Sequence, residues 1–296
     1  MWKYTGIKEC NEYLLSLFLF DCKDEKKYIK TLYTLSNSTI NEYRMFKIKK
    51  RNGKLRTIYE PSPLLKEIQR NILKNVLEER VVSKYAKAYR KGVSLKDNAS
   101  LHVDKKIILK LDIRNFFDSI SFMDVYEACF NIDYYPKSVG MLLAYLCTYQ
   151  DHLVQGAPTS AYISNLVMKS FDEEIGMYCL DRNISYTRYS DDMTFSGDFN
   201  PKDIISFVRK KLYQLGLELN DKKTSVIYYY QNQNVTGITV NKKVQVNTKY
   251  RKKVRQEMYY FKKYGVGDKA SLKGRVQYVL QINPYDKEFL TYKECL

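Results

Sequence analysis

The chain has no C-x-x-C pair. Its six cysteines (Cys10, Cys22, Cys129, Cys147, Cys179 and Cys295) are scattered, and only two histidines, His102 and His152, accompany them. This argues against a structural zinc site and for a reducing, cytoplasmic compartment. No apolar run reaches transmembrane length: residues 14–20 form the candidate stretch, but it is short and Asp21 and Asp24 follow. Neither a membrane span nor a signal peptide is expected. Internal repeats and low-complexity linkers are also missing. Acidic side chains are in deficit, with 33 Asp+Glu against 50 Lys+Arg and a net charge of +17. A polyanionic partner follows from that imbalance. One basic cluster holds Lys47, Lys49, Lys50, Arg51, Lys54 and Arg56. The other holds Lys242, Lys243, Lys249, Arg251, Lys252, Lys253, Arg255, Lys262 and Lys263, opposed locally only by Glu257. Two such clusters favour nucleic acid over a merely solvated face. The 28 tyrosines serve either core packing or base stacking.

At 296 residues the chain is long enough for a large core, in one domain or a few closely connected subdomains. Residues 1–45 are predicted mostly helical. A hairpin follows around Asn52-Gly53, and Glu60-Pro-Ser-Pro63 ends it, with Ser62 as N-cap and Pro63 opening a helix. Residues 107–113 read as a buried strand, and Ser121 with Asp124 as a capping pair. A further helix includes Leu142, Leu143 and Leu146. The loop Gln155–Ser160 leads into one long helix ending near Leu180. A hairpin covers 184–197, and an amphipathic helix runs from Pro201 to Leu215, closed by Gly216. Strands are expected around Thr224–Tyr229 and Val235–Val246, then two C-terminal helices. Strand, helices, hairpin, helix, strand is a ferredoxin-like split βαβ order within an α+β fold.

Three aspartates carry the chemistry. Asp112 interrupts the apolar run Ile107-Ile-Leu-Lys-Leu-Asp-Ile113, and a buried carboxylate there needs either a cation such as Arg114 or a metal. Asp191 and Asp192 lie in Tyr189-Ser-Asp-Asp192 at the hairpin tip, where aspartate is also an ordinary turn residue. The strand order allows the three to converge. Clustered carboxylates repel and raise one another's pKa values, and divalent cations relieve this. All-oxygen ligands favour two Mg²⁺, or Mn²⁺, over zinc, and such a pair suits phosphoryl transfer.

Together these residues resemble the palm of a reverse transcriptase, in order over nearly the whole chain. The resemblance implies a right-hand polymerase: fingers at 1–100 with 126–153, a ferredoxin-like palm at 101–125 and 154–246, and a small helical thumb at 247–296. It places Asp112, Asp191 and Asp192 on the metal-binding triad and Tyr189 at the primer. Phe117 falls on the gate that rejects a ribose 2′-OH. Gln155 and Gly156, in Gln155-Gly-Ala-Pro-Thr-Ser160, match the loop against the incoming nucleotide. Lys54 and Arg56 match residues that neutralise the triphosphate, and Lys223 the general acid for pyrophosphate. Some fifty residues after Val246 leave no room for a ribonuclease H domain or for maturase and endonuclease regions.

Within that superfamily the chain looks most like a retron reverse transcriptase. Asn98-Ala-Ser-Leu-His102 and Val235-Thr236-Gly237 match two retron elements, and the resemblance implies that these residues contact structured RNA. Arg251, Lys252, Lys253 and Arg255 are expected to hold its backbone. His152 has no such support and is expected to be structural. Ser190 departs from the family, where alanine is common. The resemblance further implies a cognate msr-msd RNA, dNTP substrates, priming from the 2′-OH of a branch guanosine, a branched msDNA product, a separately encoded effector and anti-phage defence, with no membrane. A non-retron defence or group II intron-type enzyme, or an inactive RNA-binding module, are the alternatives.

Overall fold

The computed structural model describes residues 6–49, 53 and 55–296. In chain order the elements are α1 (Ile7–Ser16), α2 (Glu25–Asn37), β1 (Tyr43–Lys49), β2 (Leu55–Pro61), α3 (Pro63–Ile72), α4 (Leu95–Ser100), β3 (Ile107–Asp112), α5 (Phe122–Val125), α6 (Lys137–Cys147), α7 (Ser160–Val167), α8 (Lys169–Leu180), β4 (Ser185–Tyr189), β5 (Asp192–Gly197), α9 (Pro201–Gln214), β6 (Ser225–Tyr228), β7 (Asn234–Val235), β8 (Ile238–Thr239), β9 (Gln245–Val246), α10 (Thr248–Tyr264), α11 (Lys269–Ile282) and α12 (Lys287–Glu294). They form two compact units. One comprises Met1–Arg90, Ile113–Glu174 and Phe207–Asn220; the other comprises Lys91–Asp112, Ile175–Ser206 and Asp221–Leu296. Among the described residues, no helix is long and apolar enough to cross a membrane.

Local chemistry sets several helix starts. The Ser62 hydroxyl accepts from the Leu65 amide, with Pro63 in the first turn of α3. Ser121 and Asp124 form a reciprocal capping box on α5, and Ser94 and Asp97 form another on α4. Each box satisfies amides that a helix start leaves without partners. Helices α3 and α5 both continue into a π-turn, Leu73–Leu77 and Tyr126–Phe130.

Two sequence expectations are corrected, and part of a third lies outside the described residues. The long helix after Gln155–Ser160 is two helices, α7 and α8, separated at Met168. The stretch 235–246 is a three-stranded sheet of short strands with β7, and three helices follow it rather than two. The tip of the β1–β2 hairpin, with Lys50, Arg51, Asn52 and Lys54, lies outside the described residues.

The second unit contains the expected four-stranded sheet, in the order β4-β5-β3-β6 and antiparallel throughout. The first palm strand therefore lies between the third and the fourth, as the ferredoxin-like order requires. Ile108, Leu109 and Leu111 of β3 and Met193 and Phe195 of β5 are at most 1% exposed, so this sheet is buried on both faces. The C-terminal helices share a core with it. Ile108 clusters with Ala99 of α4, Val235, Ile238 and Val246 of the small sheet, and Val254, Met258, Val276 and Phe289 of the last three helices.

Candidate active site

The β3–β5 register pairs Asp112 with Asp192 across the sheet. Directly opposed residues on adjacent strands have Cβ atoms roughly 4.5–5.5 Å apart, so these carboxylates share one end of the sheet. Asp112 is 3% exposed, whereas Asp192 faces solvent. Tyr189 pairs with Asp192, leaving Ser190 and Asp191 as a two-residue hairpin loop. Such a loop calls for positive φ, and Ser190 supplies it with φ 62.

The cation beside Asp112 is Lys223. Its Nζ donates to Asp112 Oδ2 at 2.5 Å from the short 3₁₀ turn Asp221–Lys223 that precedes β6. The alternative partner, Arg114, is bound instead to Glu218 at 3.4 Å. Burial pulls the Lys223 ammonium down, but the hydrogen bond to Asp112 and the charges of Asp112, Asp191 and Asp192 outweigh it and leave the group above the ordinary lysine value. Asp192 moves up to about 6: although part of the residue is exposed, the protein crowding its carboxyl strips away hydration and is the first cause, followed by repulsion from Asp191 and Asp112, against the opposing pull of Lys223 and Lys110. Lys110 lies on the same strand two residues before Asp112. Burial lowers its pKa, and it donates to Asn234 Oδ1 at 2.9 Å.

Among the described residues, no trio of His, Cys, Asp or Glu stands ready-made as a metal cage. The donor chemistry nevertheless fits a hard divalent cation. Asp112, Asp191 and Asp192 offer only oxygen, and their mutual repulsion at Asp192 is relieved by added positive charge.

Sequence reasoning missed the place of Arg188 beneath the aspartate turn. It is fully buried and the bulkiest of the fully buried side chains. Its Nη1 donates to the Ser190 carbonyl at 3.0 Å, so a buried guanidinium holds the turn that carries Asp191 and Asp192. A signal was available: Arg188 falls in phase with Ile184 and Tyr186, and both are buried.

The two retron-like elements meet one another. Asn98 Nδ2 donates to Thr236 Oγ1 at 3.4 Å. Thr236 and Gly237 form a two-residue hairpin loop between Val235 and Ile238, with φ 48 and 85. Positive φ is unusual for a β-branched residue, and Asn98 helps to hold it. His102 is fully buried. Its Nδ1 lies 2.7 Å from Ser196 Oγ and its Nε2 2.8 Å from Thr187 Oγ1, linking β4 to β5 behind the aspartate turn. Asn98, His102 and Val235 are all 0% exposed. The expectation that their side chains touch RNA is corrected: burial withholds them from any partner, and they brace the palm. Only Thr236 and Gly237 reach the surface.

The basic C-terminal cluster also divides. Arg251 is paired with Asp286, and Arg255 makes a bidentate pair with Glu288 through Nε at 2.7 Å and Nη2 at 2.6 Å. The Arg255 hydrogen bond holds the Glu288 carboxyl below its usual range. These arginines clasp α10 to α12, and Arg255 stays exposed alongside its pair. Lys252 and Lys253 remain exposed.

In the other unit, Arg56 is exposed on β2 and Phe117 is half-buried, its ring 5.4 Å from that of Phe116. The Gln155 carbonyl accepts from the Tyr59 amide at 2.9 Å. Gly156 has φ 124, and a Cβ there would lie 2.3 Å from the Tyr59 carbonyl oxygen. Only glycine allows the loop to approach β2 this closely. Gly156→Ala is expected to cost about 1–3 kcal/mol, read as a lower urea midpoint at unchanged m-value.

Comparison with known proteins gives this geometry its context. Residues 48–252 match the family model described as reverse transcriptase (RNA-dependent DNA polymerase). The chain is 30% identical over 280 residues to the retron Ec83 reverse transcriptase of Escherichia coli, covering 88% of this chain and 89% of that one. It is 27% identical to the retron Ec86 enzyme of the same organism, over 89% and 84%. It is 31% identical to the retron Mx65 enzyme of Myxococcus xanthus, over 85% and 64%. Carboxylates paired across a ferredoxin-like sheet, within a chain that matches these enzymes almost end to end, make this protein an RNA-directed DNA polymerase belonging to the retron reverse transcriptases.

Proposed function

We propose that the enzyme copies a cognate structured msr-msd RNA, starting from the 2′-hydroxyl of a branch guanosine, and so makes a branched RNA–DNA, the msDNA. The observation that supports this best is the pairing of Asp112 with Asp192 beneath the Lys223 ammonium, in a chain with retron relatives over most of its length. Asp112, Asp191 and Asp192 would hold two Mg²⁺, with Mn²⁺ as a substitute. Bound there, the ions would activate the attacking hydroxyl and steady the leaving pyrophosphate.

The protein's own part is positioning and proton delivery, since phosphoryl transfer asks for little covalent chemistry. Lys223, held above the ordinary lysine value, stays protonated at neutral pH and can give its proton to pyrophosphate. Family roles carried over to this chain assign Lys54 and Arg56 to the triphosphate, Gln155 and Gly156 to the nucleotide, Phe117 to exclusion of ribonucleotides, and Tyr189 to the primer. Lys252, Lys253, Arg255, Thr236 and Gly237 are the accessible members of the RNA-binding set. A separately encoded effector and a role in anti-phage defence complete the reading.

Nucleic acid purified with the protein from cells that carry its RNA tests the proposal. DNA that stays attached to RNA until a debranching enzyme acts is the expected product. Linear DNA alone would favour a non-retron reverse transcriptase.

A further inference from the structure

Tyr228, Tyr229 and Tyr230 are 40%, 68% and 71% exposed. Their rings are nonetheless ordered against one another. Tyr228 and Tyr230 are parallel within 2° with centroids 5.7 Å apart, and Tyr229 stands edge-on to Tyr230 at 5.4 Å. The turn beneath them is tied down at several points. The Tyr228 amide donates to Gln231 Oε1 at 2.8 Å and the Tyr229 amide to the Lys106 carbonyl at 2.9 Å. Asn241 Nδ2 donates to the carbonyls of Tyr229 and Gln231, at 3.2 and 2.7 Å. Buried Gln233 adds a bond to the Lys105 carbonyl at 2.9 Å.

These same bonds tie the turn to lysine-bearing segments. Lys105 and Lys106 accept from the turn through their carbonyls, and Lys242 and Lys243 directly follow Asn241. Two acids accompany them: Asp198, which pairs with Lys106 at 2.5 Å, and Asp104, two residues before Lys106 in the chain. The balance is four cations to two anions. The turn is remote from the carboxylates, because Ile107 pairs with Tyr228 whereas Asp112 closes the other end of β3. Five residues of strand put roughly 17 Å between the two ends.

We propose that Tyr228–Tyr230 is a stacking platform for unpaired bases of the RNA partner, with the surrounding lysines on its phosphates. The idea rests on the reading of the enzyme as one that holds a structured RNA. Flat rings held at the surface, with their ordering cost met within the protein, stack on any base that is not already stacked in a duplex. Cations around them supply the backbone contacts that such sites use. A duplex has no free base faces to offer, so the occupant is a single-stranded loop or junction of RNA.

The test uses the full-length protein and a fluorescein-labelled RNA stem with an unpaired loop, beside a blunt duplex of the same stem and a single-stranded DNA of the loop sequence. Tyr229→Ala combined with Tyr230→Ala is expected to weaken loop-RNA binding by on the order of tenfold, the worth of about one stacked base. The matching Phe pair should restore it, because a stacking ring needs no hydroxyl. Duplex affinity, melting temperature and extension of a DNA primer on a plain RNA template should not change. Unaltered loop-RNA binding or an equal loss on the duplex would each overturn the proposal; a parallel loss on the DNA strand, which offers the same unstacked bases, agrees with it. Loss of primer extension by the unmodified protein would instead count against the polymerase reading.

Discussion

Asp191→Asn combined with Asp192→Asn reduces RNA-templated incorporation of deoxynucleotides by on the order of 10⁴-fold while RNA binding survives. Each lost carboxylate removes a charge-stabilising contact worth roughly 10²-fold or more. RNA binding survives because the aspartates repel phosphate rather than attract it. Wild-type incorporation in the double variant would sink the assignment. The Asp192→Asn change alone should have a second, opposite effect on the metal-free fold. The folded Asp192 keeps its proton up to about pH 6, whereas an unfolded aspartate releases it near pH 4. The folded state therefore binds more protons between those values, and stability falls as pH rises through that window. Above it the penalty is complete, about 1 kcal/mol or less once solvent screening of an exposed group is allowed for. In EDTA, the variant should melt above the wild type at pH 7.5 and with it at pH 4. A gap that widens toward low pH would refute the argument. The active site thus holds its repelling charges at some expense to the apo fold.

Arg188→Ala is expected to cost about 3–5 kcal/mol and to lower polymerase activity beyond what the lost folded fraction explains. It empties the space of the largest fully buried side chain and leaves the Ser190 carbonyl without the guanidinium. Arg188→Met separates these effects. It restores most of the volume and should recover part of the stability, but it has no donor for the turn. Urea unfolding and single-turnover incorporation on the same preparations read the two outcomes. If Met restores full activity, the hydrogen bond to the turn has no part in placing Asp191 and Asp192.

Much of the fold could be read from the sequence because the signals were local. Alternation across 184–197 and the apolar run around Asp112 gave the palm strands. Ser62-Pro63 and the Ser121–Asp124 pair gave helix starts through chemistry confined to one turn. The sheet order then followed from strand sequence, and with it the meeting of Asp112 and Asp192. What escaped was nonlocal. Arg251 and Arg255 read as an open basic face because their acids, Asp286 and Glu288, lie more than thirty residues downstream. Asn98 and His102 read as contact residues because their motif resembles a retron element, yet their partners Thr236, Thr187 and Ser196 hold them in the core. The separation of α7 from α8 at Met168 carries no proline or glycine, so no breaker announced it.

The shared core of Ile108 with the last three helices means that this polymerase cannot be pruned from its C-terminus. A chain ended at Val246 would bare Ala99, Ile238 and Ile108 to water, and Ile108 sits four residues before Asp112 on the same strand. What looks like an appendage for gripping nucleic acid is also the far wall of the catalytic strand. Sequence change in those helices is therefore constrained by the sheet they keep dry.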